Sequence, residues 1–473
     1  MKRMEQRQAS VKETLKVAVS GVRGVVGATF TPQLAATFAQ AFGTYIGAGP
    51  VVVGRDTRPS GLMIEQAVVA GLQSVGCTPV LAGITPTPSL LMISARLGIR
   101  GGIAITASHN PADWNALKFI GPDGLFLSEI RAQELFDIYH QQDFPLVAEH
   151  EIRTVREEKY PTEDHFKRIL DYVDVAAIRN RKLKIAVDCG NGVGALYSPF
   201  LLGTLLGCEV VPVFDTPSGL FEREPEPLPQ HLDVLRRVVV DQKCDIGFAQ
   251  DPDGDRLAVV DETGAPLGED MTLALAVWQV LAEHERGPVC VNVPTSRVVE
   301  VIAGYHACPV IRTRIGEINV AEAMIKHKAV IGGENIGGVM ISRIHPCRDS
   351  FAGMAVIAEL LARKGRPVSA LIAEWPRFAI ARGKRAIRPD AAPAILRQLR
   401  QAHDPATINL LDGLFIDEGD HWVHVRRSNT ESVMRVTAEA ATPEMARALV
   451  DRYLQEVERL MDEPTPTVPG EYT

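Results

Sequence analysis

Several things that this sequence of 473 residues lacks narrow its class before any motif is read. No apolar run reaches the ~18 to 20 residues that a membrane-spanning helix needs, and the charged start, Met1 to Lys16, has no apolar segment behind it. The expectation is a cytoplasmic protein with no membrane partner. Basic clusters and basic–aromatic interleaving are also missing, the formal net charge is -8 and the pI is near 5.9. Nucleic acid is therefore excluded as a partner, and any phosphate bound must be small and local. The seven cysteines (77, 189, 208, 244, 290, 308 and 347) contain no Cys-x-x-Cys pair. They read as reduced core thiols, not bridges or metal ligands. Ser108 lies in no Gly-x-Ser-x-Gly elbow, which disfavours a hydrolase triad. No Walker lysine follows the Gly190-Asn191-Gly192-Val193-Gly194 turn, which reads as βα punctuation.

At ~150 residues per domain the length suggests three or four domains, and the chain repeats itself accordingly. A strand, a polar turn, a helix and a second strand run from Val51 to Val80, again from Lys184 to Val211, and again from Val289 to Ile311. Each copy continues into a further strand that ends in a loop rich in chemistry. These loops are Thr106 to Lys118, Gln250 to Arg256 and Gly332 to Gly338. Equivalent loops in three similar domains can face one cleft, where small ligands bind. Charged stretches near 141–162 and 379–392 read as connectors. Beyond the second come strands at 413–417, 422–425 and 433–438 between two helices. The expected class is α/β: three related mixed α/β domains with βαβ cores plus a C-terminal α+β domain around a central cleft. Its expected boundaries are 1–158, 159–262, 263–376 and 377–473.

In the first loop a hydroxyl (Ser108), an imidazole (His109), two amides (Asn110, Asn115) and an amine (Lys118) fall within eleven residues. In the second, Asp251, Asp253 and Asp255 alternate, so in an extended segment their carboxylates share a side and need a cation. Hard oxygen ligands suit Mg²⁺ or Ca²⁺. An EF-hand is disfavoured because its sixth position requires Gly and here holds Arg256, and because the flanks read as strands. A divalent site beside an exposed serine points to phosphoryl transfer, which is mostly positioning and charge neutralisation. Lys118 or His109 could move protons, and Arg23, set between Gly21 and Gly24, is placed for an anion. The third loop's glycines let backbone approach a ligand closely, and Glu334 could accept hydrogen bonds from sugar hydroxyls. Arg426 to Ser432 gathers donors that suit a phosphate.

Together the motifs SGVRG (20–24), TASHNP (106–111), DPDGDR (251–256), GGEN (332–335) and RRSNTE (426–431) resemble, in order, those of the α-D-phosphohexomutase family. That resemblance covers essentially the whole chain. It implies that Ser108 carries the phosphoryl group as a phosphoserine. Asp251, Asp253 and Asp255 would hold Mg²⁺ with an oxygen of that group, while Arg23, His109, Lys118 and Arg256 line the reaction centre. Glu334 and Asn335 would meet the sugar, and Arg426, Ser428, Asn429, Thr430 and Arg435 the phosphate that is not reacting. Hexose 1,6-bisphosphate would be the intermediate and activator, and the protein a monomer or homodimer whose fourth domain opens and closes.

One departure and one likeness within the family bear on the sugar. The family's sugar loop is often Gly-Glu-x-Ser-Gly-His, but here Ile336 and Gly338 take the places of the serine and histidine, leaving His345 as a candidate replacement. The segment Arg312 to Glu317 is closer to phosphoglucosamine mutases than to phosphomannomutase/phosphoglucomutase, so glucosamine phosphate is the expected substrate and mannose or glucose phosphate the alternative. From other classes, a Mg²⁺-dependent sugar phosphatase would use the same serine, and a non-catalytic sugar-phosphate binding protein would not need it.

Overall fold

The computed structural model describes residues 15–96, 98–388, 390–428 and 432–462. The first sheet contains β1 (Lys16–Ala18), β2 (Gly21–Val25), β3 (Pro50–Arg55), β4 (Thr78–Ile84), β5 (Gly101–Ile105), β6 (Trp114–Ile120) and β7 (Arg156–Glu157), in the order β1-β2-β6-β5-β3-β4-β7. The second contains β8 (Lys184–Asp188), β9 (Glu209–Val213), β10 (Ile246–Gln250) and β11 (Leu257–Asp261), in the order β11-β10-β8-β9. The third contains β12 (Val289–Asn292), β13 (Val310–Thr313), β14 (Ile331–Glu334) and β15 (Gly338–Ile341), in the order β13-β12-β14-β15.

One four-stranded core recurs in all three. Its first strand (β3, β8 or β12) lies inside the sheet, parallel to the two that follow, and the fourth pairs antiparallel with the third. These first strands are short apolar runs, buried along nearly their whole length, as parallel strands covered by helices must be. The common topology sends the turn after the third strand out of the same end of each sheet. That end, beyond the carboxyl termini of the parallel strands, is where α/β sheets place ligand sites.

The fourth sheet is antiparallel: β16 (Ala379–Ala386), β17 (Ile408–Asn409), β18 (Leu414–Asp417), β19 (Trp422–Arg427) and β20 (Val433–Ala440), in the order β16-β20-β19-β18-β17. The helices Ala392–Gln401 and Pro443–Asp462 bury one face of it through Ile395, Leu399, Val450 and Val457. Both expected connectors contain a strand. β16 hides in 379–392 because a strand with Ala381 as its only fully buried residue, and with Arg382 and Lys384 exposed, reads as polar chain. Within 141–162, β7 adds two residues to the edge beside β4.

The second and third units share a continuous core in which the helix Ser350–Lys364 is buried from Ser350 through Leu361. A buried polar chain joins the first unit to them. Ser89 Oγ lies 2.8 Å from His165 Nδ1, and His165 Nε2 lies 2.6 Å from Asp349 Oδ2. Asp349 Oδ1 in turn caps that helix, accepting from the backbone N–H of Phe351 and Ala352. Serine, histidine and aspartate in this order are a nucleophile arrangement elsewhere. Here they are 0, 1 and 2 % exposed, so no substrate reaches them and they act as a tie between three units. His165→Ala leaves Asp349 and Ser89 without that partner and opens a void, so a stability loss of about 2–4 kcal/mol is expected in urea denaturation. An unchanged midpoint would contradict the tie.

Candidate active site

Ser108 follows β5 at a φ of +47°, a left-handed conformation that a serine adopts only when its surroundings hold it. Arg58, fully buried, supplies that hold. Its Nη2 donates to the carbonyls of Ser108 (2.7 Å) and Asn110 (2.6 Å), and its Nη1 to those of Trp114 (3.0 Å) and Pro111. Asp56 Oδ2 fixes Arg58 Nε at 3.0 Å and accepts from Thr106 Oγ1 at 2.7 Å, whose oxygen accepts from Ser108 N at 3.0 Å. Asp56 and Arg58 carry no sequence signal beyond a charged turn after β3, the position that Gly190 to Gly194 occupies in the second unit. That glycine turn is also more than punctuation, because the Asn191 carbonyl accepts from Thr57 Oγ1 at 2.8 Å and so docks the second unit on the first.

Ser108 Oγ donates to Asp251 Oδ2 at 2.7 Å. Oxygens of Asp251, Asp253 and Asp255 all lie within 4.8 Å of one another, and each residue is at most 1 % exposed. Convergence does not come from an extended alternation. The segment is a turn with Gly254 at φ +73°, wrapped on Asp251 Oδ1, which accepts from the backbone N–H of Asp255 (3.1 Å) and Arg256 (3.0 Å). Asp253 Oδ1 and Asp255 Oδ1 are buried without a hydrogen-bond partner. Buried, unpartnered carboxylate oxygens are costly unless a cation meets them. The donor set is hard oxygen from aspartates, so the residues present fit a divalent ion such as Mg²⁺.

The charges around this triad are arranged to match. Burial, then the charges of Asp255 and Asp253, push the Asp251 carboxyl well above the usual range. Burial works the same way on Asp253, but Lys118, at 2.7 Å from its Oδ2, together with hydrogen bonds to Asp251 and Thr87, outweighs it and holds that carboxyl below the usual range. Lys118 is itself raised, since Asp253 and Asp255 together overcome the effect of burial. His109 Nδ1 is 3.4 Å from Ser108 Oγ; burial, then Arg256, Arg23 and Arg348, push its imidazole down to about 2. It is therefore neutral at neutral pH, inside a ring of guanidinium groups that suits an anion. Arg23 Nη1 reaches Asn110 Oδ1 at 3.4 Å, and Arg256 Nη1 reaches Glu226 Oε1 at 2.7 Å while its Nε makes no hydrogen bond and lies 3.9 Å from Asp255 Oδ1. Thr87 adds a bond from its Oγ1 to Asp253 Oδ2 at 3.0 Å.

On the third unit Glu334 ends β14. Its Oε1 accepts from Gly316 N (2.8 Å) and Asn292 Nδ2 (3.2 Å), and its Oε2 from Arg348 Nη1 (3.1 Å). Asn335 Oδ1 accepts from Asn292 Nδ2 at 3.1 Å. His345 does not join them: its Nε2 faces the Gly124 carbonyl at 2.7 Å, so it packs the first unit against the third and leaves no replacement histidine at the sugar loop. Missed by the sequence reading are Asn292, Arg348 and Thr87, all single polar residues in otherwise unremarked strands or loops.

The fourth unit docks on the third. Ile315 N donates to Asp412 Oδ2 (3.1 Å), Arg297 pairs with Asp417, and Phe415 and Trp422 pack on Val293. Arg426 lies within electrostatic reach of Glu334, and burial, then Arg435, lower its pKa while Asp412 opposes. Arg426, Arg435 and Lys384 sit directly opposite one another on adjacent strands, hence on one face. Three cationic side chains in one row offer the charge and donors that suit an anion. Ser428 is buried and its N–H donates to the Val433 carbonyl at 2.9 Å, while Asn429 and Thr430 lie outside the described residues.

Two variants test this geometry. Asp253→Asn is expected to weaken Mg²⁺ or Mn²⁺ binding at least about tenfold in a calorimetric titration, since it alters a carboxylate with an unpartnered oxygen. Equal affinity would remove Asp253 from the metal set. Arg58→Met is expected to lower activity by about 10²-fold through a displaced Ser108, with its far-ultraviolet circular dichroism unchanged. Full activity would show that the loop holds itself.

Four family patterns match the chain consecutively: phosphoglucomutase/phosphomannomutase α/β/α domain I over residues 14–146, domain II over 163–264, domain III over 268–378 and the C-terminal domain over 379–456. The "Probable phosphoglucosamine mutase" of Methanopyrus kandleri is 37 % identical over 449 residues, covering 94 % of this chain and 98 % of that one. The "Phosphoglucomutase/phosphomannomutase" of Thermococcus kodakarensis is 36 % identical over 438 residues, 91 % and 96 % of the two chains. Among solved structures, a phosphoglucomutase/phosphomannomutase family protein from Burkholderia thailandensis superposes with a TM-score of 0.81 at 25 % identity, covering 97 % of this chain and 98 % of its own. With the same four domains in the same order along nearly its whole length, this chain belongs to the phosphoglucomutase/phosphomannomutase family of phosphohexomutases.

Proposed function

We propose that this protein interconverts the 6-phosphate and 1-phosphate of a hexosamine through a phosphoserine at Ser108 and the 1,6-bisphosphate of the same hexosamine, with a hexose 1,6-bisphosphate as activator. The observation that carries the reading is Ser108 Oγ at 2.7 Å from Asp251 beside two unpartnered aspartate oxygens, with Lys118, Arg23 and Arg256 around them. Asp251, Asp253, Asp255 and an oxygen of the phosphorylated Ser108 would hold Mg²⁺, which when bound neutralises charge on the transferring phosphoryl oxygens. Arg23, Arg256 and Lys118 supply the remaining positive charge. The bond from phosphorus to Ser108 Oγ breaks as a bond to the sugar hydroxyl oxygen forms. The sugar hydroxyl loses its proton as it takes the phosphoryl group, and Ser108 Oγ, the oxygen that leaves, gains one, so the exchange balances without net proton release. Lys118 enters as an ammonium that steadies phosphate oxygens, while burial and the surrounding guanidinium groups hold His109 far below its usual value and make it a weak base.

Glu334 and Asn335 meet the sugar, and the row of Arg426, Arg435 and Lys384, with Ser428, Asn429 and Thr430, takes the distal phosphate. After the first transfer the bisphosphate turns end for end and returns its other phosphoryl group to Ser108. Docking of the fourth unit over Glu334 excludes water from this exchange, which separates a mutase from a phosphatase. Glucosamine phosphate is favoured by the Arg312 to Glu317 segment and by the Methanopyrus relative. The Thermococcus relative, at nearly the same identity, keeps glucose and mannose phosphates as the second reading.

Phosphorus NMR with Mg²⁺, a trace of hexose 1,6-bisphosphate and, in parallel, glucosamine, glucose or mannose 6-phosphate tests this. A 1-phosphate signal is expected, growing fastest with glucosamine; net release of free phosphate would instead make the protein a phosphatase. Ser108→Ala is expected to abolish the conversion while leaving sugar-phosphate binding measurable.

A further inference from the structure

Arg348 belongs to none of the sequence motifs, yet it touches both halves of the site. From the segment before the helix Ser350–Lys364 it sends Nη2 to Asp255 Oδ2 (2.6 Å), Nη1 to Glu334 Oε2 (3.1 Å) and Nε to Glu317 Oε2 (3.1 Å). Its backbone N–H also binds Glu317 Oε1 at 3.0 Å, and its side chain is 11 % exposed. One permanently charged, planar fork therefore holds a metal-loop carboxylate from the second unit and a sugar-loop carboxylate from the third. A buried ion network of this kind is weak evidence for stability, since apolar packing of the same volume serves that purpose as well.

The space for the fork is prepared. A Cβ on Gly338 would stand 2.4 Å from Arg348 Cδ and 2.7 Å from its Cγ. Gly338 is not among the residues of positive φ, so the guanidinium stem, and not the backbone, requires glycine there. The two loops are also joined directly, Leu257 N donating to the Gly337 carbonyl at 2.9 Å. Because Arg348 occupies Asp255 Oδ2, the oxygen left without a hydrogen bond is Oδ1, with Arg256 Nε no nearer than 3.9 Å, and it is the one available to a cation.

We propose that Arg348 is a positioning residue that couples sugar binding at Glu334 to cation binding at Asp255, so that each ligand tightens the other. This rests on the site assignment above. A sugar hydroxyl on Glu334 orders that carboxylate, the fork follows, and Asp255 Oδ1 is held facing the cation before the cation arrives. A second ligand then meets groups already fixed, and the effect is reciprocal by linkage.

The test uses the full-length Ser108→Ala protein as parent, which cannot turn over, with Mn²⁺ binding followed by electron paramagnetic resonance. Glucosamine 6-phosphate, or whichever hexose 6-phosphate the wild type converts, is added at saturation. In the parent the sugar is expected to tighten Mn²⁺ about tenfold, within the usual range of coupling. With Arg348→Met added, Mn²⁺ binds about tenfold more weakly and the sugar no longer changes its affinity. Gly338→Ala keeps every charge, displaces the fork and is expected to lose the coupling too, which guards against a folding failure of the Met variant. Arg348→Lys, able to meet one carboxylate at a time, recovers Mn²⁺ affinity without the coupling. A tenfold sugar effect that survives in Arg348→Met or Gly338→Ala would overturn the proposal, as would a parent that binds both ligands with no mutual effect. A parent that binds neither Mn²⁺ nor sugar would instead overturn the site assignment.

Discussion

Three aspartates whose oxygens converge within 4.8 Å in a buried turn are the constraint on which the rest of this molecule depends. Like charges at that distance, away from water, repel strongly unless opposite charge is supplied. The protein supplies part of it: Lys118 from β6 pairs with Asp253, and Arg348 from beyond β15 pairs with Asp255. Neither cation belongs to the second unit, which carries the triad. Arg256 of the second unit adds a longer contact to Asp255, 3.9 Å from its Oδ1, so packing of the first and third units against the second supplies the two short ion pairs of the triad and links the site to the assembly of the domains.

Domain assembly in turn uses polar groups with little freedom to move. Thr57 binds the Asn191 carbonyl, Thr87 binds Asp253 through both its N–H and its hydroxyl, and the Ser89–His165–Asp349 chain passes through all three units. The helix that Asp349 caps begins with Ser350, whose Oγ donates to the Gly254 carbonyl at 2.6 Å inside the metal turn. Packing, capping and metal-site geometry are thus consecutive links of one network. Among the described residues the fourth unit is attached by fewer ties: Arg297 pairs with the half-exposed Asp417 and donates its backbone N–H to the buried Glu439, and a small apolar contact surrounds Trp422. An attachment of that kind suits a unit that must release and re-engage.

The sequence made the repeat legible because each copy announces itself with a short apolar strand and a turn of glycine, proline or charge, and the strand order follows from that pattern. The candidate nucleophile Ser108 and the candidate cation ligands Asp251, Asp253 and Asp255 were legible for the same reason: they sit in loops at repeated positions. The supporting residues were not. Arg58 and Asp56 look like any charged turn until burial shows the fork gripping four carbonyls of the Ser108 loop. Arg348 is one arginine among many, and its role depends on a missing side chain at Gly338, far too indirect a signal for sequence. The alternation of Asp251, Asp253 and Asp255 suggested the right convergence for the wrong reason, since a turn on Asp251 and not an extended strand brings it about. β16 was unreadable because an edge strand with only Ala381 buried has little apolar residue to display.

The central claim is that Ser108 passes a phosphoryl group to and from sugar, and mass spectrometry of the peptide containing it tests this most directly. Protein incubated with hexose 1,6-bisphosphate and Mg²⁺ is expected to gain one phosphoryl group at Ser108. On addition of hexosamine 6-phosphate that group should leave the peptide and appear in sugar bisphosphate. If isomerisation proceeds while Ser108 stays unmodified, or if its phosphoryl group goes to water as free phosphate, the account is contradicted.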